Sequence, residues 1–119
     1  MNDRIVVKNI AVDFTDGDSI YSHLREELQQ LEIGILVNNV GMTNAGVGKV
    51  FSTMEEEESL RQIINCNVMS MVRVTYIVVP QMIERKQGVI INVGSLSSAI
   101  PTPFLTVYGA TKVRNFLML

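Results

Sequence analysis

Two short apolar runs separated by one long amphipathic pattern constrain the fold of this chain most. The runs, IGILVNN at residues 33–39 and GVIINVGS at residues 88–95, are largely continuous apolar stretches, typical of strands buried on both faces of a sheet. Between them, from about residue 55 to 86, apolar side chains recur every three or four positions, as on one face of a helix. A strand, a crossover helix and a second strand predict a right-handed parallel unit.

The remaining segments extend this alternation in both directions. The patterns predict, in order, a strand over 5–14, a helix over 18–31 and a last helix from about residue 107. Candidate N-caps of the first helix are Thr15, Asp16 and Asp18. Pro80 is expected to kink or loosen the last turns of the long helix. The order strand, helix, strand, helix, strand, helix predicts an α/β fold with a parallel sheet, in one domain over 1–119.

Composition and charge exclude several classes of function. The 119 residues are 47% hydrophobic and 18% charged, which is typical of a globular domain, and the net charge of −2 argues against nucleic acid as a partner. Cys66 is the one cysteine, so an internal disulfide or a multi-cysteine zinc site is excluded. His23 is the one histidine and reads as a surface residue, so we expect no metal. No apolar run reaches the roughly 18–20 residues of a membrane span, and no signal peptide is evident.

Polar residues follow each predicted strand. Asp13 ends the first, Asn38, Asn39 and Gly41 end the second, and Ser95 ends the third. In a parallel sheet these ends share one edge, where α/β proteins bind ligands. Each of them is also ordinary turn chemistry when taken singly.

Asn67 lies on the helix face that should point to the core. Its stripe otherwise consists of apolar residues such as Leu60, Ile64 and Met71. A buried amide without a partner costs roughly 1–3 kcal/mol. Asn67 is therefore expected to have a specific hydrogen-bond partner, with an amide bonded only to backbone as the alternative.

Tyr108 and Lys112 are four positions apart and share one face of the last helix. A nearby ammonium lowers the pKa of a tyrosine hydroxyl from about 10 toward that of a general acid or base. Ser95 could reach the same substrate oxygen. A serine that polarises a carbonyl and a tyrosine that delivers a proton suit hydride transfer at carbon with proton transfer at oxygen. Serine hydrolysis is excluded because no G-x-S-x-G elbow is present.

These residues together resemble the short-chain dehydrogenase/reductase family. The motifs that carry the resemblance are ILVNNVG at 35–41, INCNVMS at 64–70, Ser95 and YGATK at 108–112. The resemblance implies a Rossmann-like doubly wound sheet and a catalytic tetrad of Asn67, Ser95, Tyr108 and Lys112. It also implies that Ser95 contacts the substrate, that Asn67 helps to position a water, and that Lys112 and Tyr108 contact the cofactor. Further cofactor contacts are implied for Asp13, Asn39 and Gly41, the first two along the adenosine half.

Longer stretches are similar to one branch of that family, which contains 17-beta-hydroxysteroid dehydrogenases and very-long-chain 3-oxoacyl-CoA reductases. They are LEIGILVNNVGM at 31–42, MIERKQGVIINVGS at 82–95 and PTPFLTVYGATK at 101–112. The resemblance implies NADP(H), with NAD(H) as the alternative, a lipid-like ketone or alcohol as substrate, and the endoplasmic reticulum as location. Steroid and acyl-CoA both stay open.

The family's glycine-rich phosphate-binding turn has no match in this chain, nor do the family's last strands. We therefore expect an internal fragment, a partial sheet lacking the first two strands and the C-terminal part. The predicted strand 5–14 would then be an edge without its neighbour, and the other strands would have uncovered faces. The rival hypothesis is an inactive chain that associates through helices 55–86 and 107–119, which commonly form a dimer interface in this family. Membrane contact is expected only through segments absent here.

Overall fold

The computed structural model describes residues 5–43 and 57–113. Its regular elements are the helices α1 (Ile20–Gln29), α2 (Glu57–Ile64), α3 (Ser70–Arg85) and α4 (Thr106–Lys112), and the strands β1 (Ile35–Asn38) and β2 (Val89–Asn92). A 3-10 turn, Phe14–Ser19, precedes α1, a π-helical turn, Asn65–Met69, joins α2 to α3, and a second 3-10 turn, Leu96–Ser98, lies between β2 and α4. The α/β class predicted from the sequence is confirmed.

The two strands pair directly with each other in parallel, and the long helix connects them along the chain. Ile35 is opposite Val89, and the register continues to Asn38 opposite Asn92. At the carboxyl ends, the Asn38 side-chain amide donates to Asn92 Oδ1 at 2.9 Å and to Thr75 Oγ1 of α3 at 3.0 Å. Side-chain hydrogen bonds thus hold both strands and the helix together at the edge where ligands bind in this class of fold.

A second set of hydrogen bonds holds the opposite end of β1 against α3. The Arg85 guanidinium donates to the Ile33 carbonyl oxygen at 2.7 Å and to Gln81 Oε1 at 2.8 Å. Gln81 Oε1 also accepts the Ile33 amide at 3.0 Å. Because α3 is attached near both ends of β1, the residues that follow β1 are carried on a rigid unit.

The prediction of a strand over residues 5–14 is wrong. Residues 5–13 belong to no helix or strand, and Ile5, Val6 and Val7 are exposed. A strand requires a neighbour to satisfy its amides and carbonyls, and within the described residues none lies beside this segment. Only its second half is packed, where Ile10, Val12 and Phe14 contact the core around Tyr21 and Leu24.

The first helix begins later than its predicted caps. It starts at Ile20, and Ser19 precedes it without a side-chain cap. The capping carboxylate is Asp13, which accepts hydrogen bonds from the Thr15 amide at 2.9 Å and the Thr15 hydroxyl at 2.7 Å. Asp13 therefore caps the 3-10 turn Phe14–Ser19, which directly precedes α1, and not α1 itself.

The long helix is irregular at a different place from the one expected. Pro80 does not interrupt it, and α3 continues to Arg85. Pro80 and Tyr76 both lie on the exposed side, where water can satisfy the carbonyl that a proline leaves unbonded. The departure from α geometry is the π turn Asn65–Met69, and such turns often occur at functional sites.

The outer face of the two-stranded sheet is uncovered in the described chain. Ile35 is 62% exposed, and Val37, Val89 and Ile91 are also exposed. Burial on both faces was therefore a wrong prediction for these strands, whereas the predicted uncovered faces are confirmed. The alternate residues of β1 and β2 are half-buried, consistent with cover by α3 on that side.

The continuous helix Glu57–Arg85 contributes most of the buried side chains. Its 29 residues are long and apolar enough to cross a membrane by length and composition alone. Ile63 and Val78 are fully buried, and Ile77 belongs to the core cluster with Tyr21 and Leu24. One side of the helix thus packs on the core, while Val72, Tyr76 and Ile83 are exposed.

Candidate active site

Ser95 begins the turn that leads from β2 to α4. The strand ends at Asn92, so Ser95 lies three residues beyond it rather than at its end, still with an extended backbone. Its Oγ accepts the Ser97 amide at 3.3 Å, and its carbonyl accepts the Ser98 hydroxyl at 2.7 Å. This turn packs directly on α4, because a Cβ atom on Gly109 would lie 2.8 Å from the Ser97 carbonyl oxygen.

Tyr108 and Lys112 lie on one face of α4, as their spacing predicts. The Lys112 Nζ atom is 5.9 Å from the centroid of the Tyr108 ring. Lys112 is only 3% exposed, and its Nζ donates to the Val40 carbonyl oxygen at 3.4 Å. Burial of an ammonium is costly unless polar groups receive it. The segment after β1 therefore holds this lysine beside the tyrosine.

The backbone of Gly41 packs directly against the end of the Lys112 side chain. A Cβ atom at this position would overlap Lys112 Nζ and would lie 3.0 Å from Cε and 3.5 Å from Asn67 Oδ1. A glycine is therefore required for the loop after β1 to come this near to α4. Three residues that the sequence analysis singled out separately are neighbours in the structure.

Asn67 is fully buried, and its side-chain amide joins the loop after β1 to α4; we call this amide the clamp. Its Oδ1 accepts the Met42 amide at 2.7 Å, and its Nδ2 donates to the Met42 carbonyl at 2.8 Å. Nδ2 also donates to Thr111 Oγ1 at 2.9 Å. The expected specific partner is confirmed, and the alternative of backbone partners alone is wrong because Thr111 contributes a side chain. The π turn brings Asn67 between the loop after β1 and α4.

Asp13 and Asn39 differ from the buried Asn67 and Lys112 in their exposure. Both are exposed, and the Thr15 hydroxyl and amide hold the pKa of Asp13 below its usual value by hydrogen bonding to its carboxylate. The turn that Asp13 caps is nevertheless attached to the π turn, because Asn65 Nδ2 donates to the Thr15 carbonyl at 3.3 Å. The predicted cofactor contacts of Asp13 and Asn39 remain predictions.

The hydroxyl groups of Ser95 and Tyr108 are not hydrogen bonded to each other within residues 57–113. Each is half-buried, and the turn that begins at Ser95 packs on α4 at Gly109, next to Tyr108. The predicted convergence of these two hydroxyls on one substrate oxygen therefore remains a prediction.

Sequence reasoning missed three residues that hydrogen bond to Asn67 or Lys112. Val40 and Met42 act through backbone groups, which leave no side-chain signal in a sequence. Thr111 does carry a signal, since it lies between Tyr108 and Lys112 in the YGATK motif.

Replacement of Asn67 by leucine is expected to lower the free energy of unfolding by about 2–4 kcal/mol, because it leaves the buried polar partners of the amide unpaired. The matched control is Asn65→Leu in the same π turn, where one hydrogen bond of 3.3 Å is lost and about 1 kcal/mol or less is expected. Urea unfolding of the natural full-length protein measures both. Equal losses would show that Asn67 is not the clamp.

The fold and the site define an α/β domain of the nucleotide-binding type, with a tyrosine–lysine pair at the carboxyl end of a parallel sheet. A sequence model described as short chain dehydrogenase matches residues 2–116. The chain therefore belongs to the short-chain dehydrogenase family, a family of oxidoreductase enzymes.

Two curated relatives and one solved structure show where in the family the similarity lies. The chain is 48% identical over 108 residues to 17-beta-hydroxysteroid dehydrogenase type 3 of Danio rerio, covering 90% of this chain and 35% of that protein. It is 44% identical over 109 residues to very-long-chain 3-oxoacyl-CoA reductase of Rattus norvegicus, covering 92% of this chain and 35% of that protein. The predicted branch is confirmed, and the chain spans about a third of the length of these relatives.

The solved structure is a short-chain dehydrogenase from Sphingobium yanoikuyae in complex with NADPH. It has a TM-score of 0.73 and 28% sequence identity, and the match covers 87% of this chain and 39% of that chain. The predicted partial Rossmann-like fold agrees with this similarity.

Proposed function

We propose that the protein carrying this chain is an NADP(H)-dependent oxidoreductase that interconverts a ketone and a secondary alcohol on a lipid-like substrate. The observation that supports it most is the buried Lys112 beside Tyr108, anchored on the segment that follows β1. The two curated relatives support a steroid or a long-chain 3-oxoacyl-CoA as the substrate, and both remain candidates.

The residues after β1 fit a nicotinamide cofactor. Gly41 leaves the space that Lys112 occupies beside the loop, and the buried ammonium of Lys112 suits a hydroxyl or phosphate oxygen. Together with Tyr108, these two residues are the proposed inner contacts, and Asp13 and Asn39 are the proposed outer ones. When bound, the cofactor supplies the hydride. NADP(H) is the preferred assignment because the Sphingobium relative holds NADPH, and NAD(H) is the alternative.

The side chains of this chain have distinct parts in the proposed reaction. The Ser95 hydroxyl accepts one hydrogen bond from Ser97 and can still donate its own proton to a substrate carbonyl. The Tyr108 hydroxyl transfers the proton to the developing alkoxide. Lys112 places its ammonium beside this residue, with Nζ 5.9 Å from the centroid of the Tyr108 ring. Asn67 holds Met42 and Thr111 in place, and its expected part in positioning a water is retained as a proposal.

Cofactor oxidation by the natural full-length protein tests this proposal. The protein is incubated with NADPH or NADH and with a steroid ketone or a long-chain 3-oxoacyl-CoA, and loss of the reduced-cofactor absorbance is followed. Oxidation that depends on a ketone supports the proposal, and the more active pair identifies the cofactor and substrate class. If no pair of cofactor and ketone gives oxidation, the proposed function is wrong. We also propose location at the endoplasmic reticulum, which microscopy of the tagged natural protein tests.

A second candidate function is association of two copies through the long helix. Val72, Tyr76 and Ile83 recur at helical spacing on α3 and are exposed, Tyr76 at 69%. A self-complementary apolar stripe of this kind suits a twofold interface, as the family resemblance also implies. The other predicted interface helix extends from 107 into residues 114–119, which lie outside the described residues.

The double variant Tyr76→Glu with Ile83→Glu is expected to convert a dimer of the natural full-length protein into a monomer, because burial of two carboxylates is strongly unfavourable. His23→Glu, an exposed position on α1, is the control and should leave the dimer intact. Sedimentation velocity measures the masses. A native protein that is monomeric, or a double variant that stays dimeric, would exclude this interface.

A further inference from the structure

We propose that Thr111 is a positioning residue that holds the helix carrying Tyr108 and Lys112 in its reactive register. This proposal rests on the proposed oxidoreductase function. Thr111 is buried, 6% exposed, and it lies in α4 between the two residues that it would position. Its hydroxyl is therefore expected to affect the proton-transfer step through their placement, without contacting the substrate.

Two hydrogen bonds in series pass through the Thr111 hydroxyl. Asn67 Nδ2 donates to Thr111 Oγ1 at 2.9 Å, and Thr111 Oγ1 donates to the Tyr108 carbonyl oxygen at 2.7 Å. A hydroxyl that accepts and donates at the same time polarises both bonds, which strengthens each of them in a buried setting. The second bond ends on the backbone of the very residue that carries the phenol.

The same series continues beyond Asn67 to the loop after β1. Asn67 makes two hydrogen bonds to the Met42 backbone, and the carbonyl of Val40, two residues earlier, accepts from Lys112. The loop after β1, the π turn and α4 thus form a closed ring of contacts. Thr111 is the side chain through which α4 joins the π turn in this ring.

Removal of the hydroxyl opens this ring at one point while leaving the fold's main core untouched. The core cluster of Tyr21, Leu24 and Ile77 lies on α1 and α3, and Asn67 would keep its two bonds to Met42. Without the bond from Asn67, α4 loses one attachment to the π turn and can shift relative to the loop that carries Gly41, although Lys112 still donates to the Val40 carbonyl. A shift of about 1 Å at reacting groups is enough to lower a rate by a large factor.

The test compares Thr111→Val and Thr111→Ala, which lack the hydroxyl, with Thr111→Ser, which keeps it, in the natural full-length protein. We expect valine and alanine to lower kcat about tenfold or more, with the KM for the ketone changed less than about threefold. Serine should keep kcat within about threefold of native. Circular-dichroism melts verify that each variant is folded at the assay temperature.

Hydrogen exchange of the α4 backbone amides gives a second readout that does not require activity. Valine should speed exchange in α4 while serine should match the native protein. If the native protein reduces no ketone, the proposed function fails. Hydrogen exchange alone then tests whether Thr111 holds α4 in position.

Three outcomes would overturn the positioning role. One is a serine variant that loses as much as valine does, in kcat or in exchange protection. Another is a valine variant indistinguishable from native in whichever readouts apply. The third is that neither valine nor alanine folds, since the hydroxyl would then be needed for folding and not for register.

Discussion

The Tyr108→Phe variant of the natural full-length protein is expected to lose turnover by about 10²- to 10⁴-fold, the usual contribution of a positioned general acid or base. Phenylalanine keeps the ring whose centroid lies 5.9 Å from Lys112 Nζ, so the lysine should stay in place. Binding of NADPH should therefore change little. Steady-state kcat and a fluorescence titration of NADPH measure the two effects separately.

Tyr76→Phe is the matched control for that variant. Tyr76 is 69% exposed on α3, so its hydroxyl should not matter for turnover. Activity retained in Tyr108→Phe would remove this tyrosine from the proton-transfer role. Loss of both NADPH binding and turnover would show that the Tyr108 hydroxyl is needed for cofactor binding and that proton transfer is not its main role.

Gly41→Ala is expected to lower kcat/KM by about 10²-fold, because small displacements of catalytic groups have effects of this size. The added Cβ would overlap Lys112 Nζ and would lie 3.0 Å from Cε. Neither side can move easily, since Lys112 is buried and the next residue along the loop, Met42, is held by Asn67 through two hydrogen bonds. Overpacking of this kind also costs about 1–3 kcal/mol of stability. Kinetics and a thermal melt of the natural full-length protein test both effects.

Gly34→Ala provides the control on the other side of β1. Among residues 5–43 and 57–113, no atom beyond the chain neighbours of Gly34 lies within 4 Å of a Cβ built there, so activity and melting should stay near native. If both alanine variants behaved alike, close packing of Gly41 on Lys112 would not be what the site requires. A Gly41→Ala variant that melts like native but is inactive would locate the damage in the site itself.

Residues 5–14 show how a local pattern can mislead. Their β-branched residues predict a strand, yet residues 5–13 form none, and Asp13 caps a turn instead of ending a strand. β-structure depends on a neighbouring strand and on burial more than on intrinsic preference. The runs at β1 and β2 form strands because they have each other.

The long helix shows the opposite balance. Its apolar period predicted a helix correctly between about 55 and 86, with residues 57–85 described as helical. The π turn at Asn65–Met69 had no sequence signal of its own. Only the buried position expected for Asn67 indicated that something unusual occurs there, and the partners of its amide come from the loop after β1 and from α4.

The sequence by itself determined what depends on residues close together along the chain: the period of each helix, the apolar runs of β1 and β2, and the shared face of Tyr108 and Lys112. Tertiary structure decided what depends on residues far apart. Asn67 meets Met42 across 25 positions and Thr111 across 44, and Lys112 meets Val40 across 72. Such contacts form only when the sheet and the long helix bring these segments together, and two of the three partners, Met42 and Val40, contribute backbone groups that every sequence contains. For that reason the shared helix face of Tyr108 and Lys112 was readable in advance, while the hydrogen bonds that hold it against the loop after β1 were not.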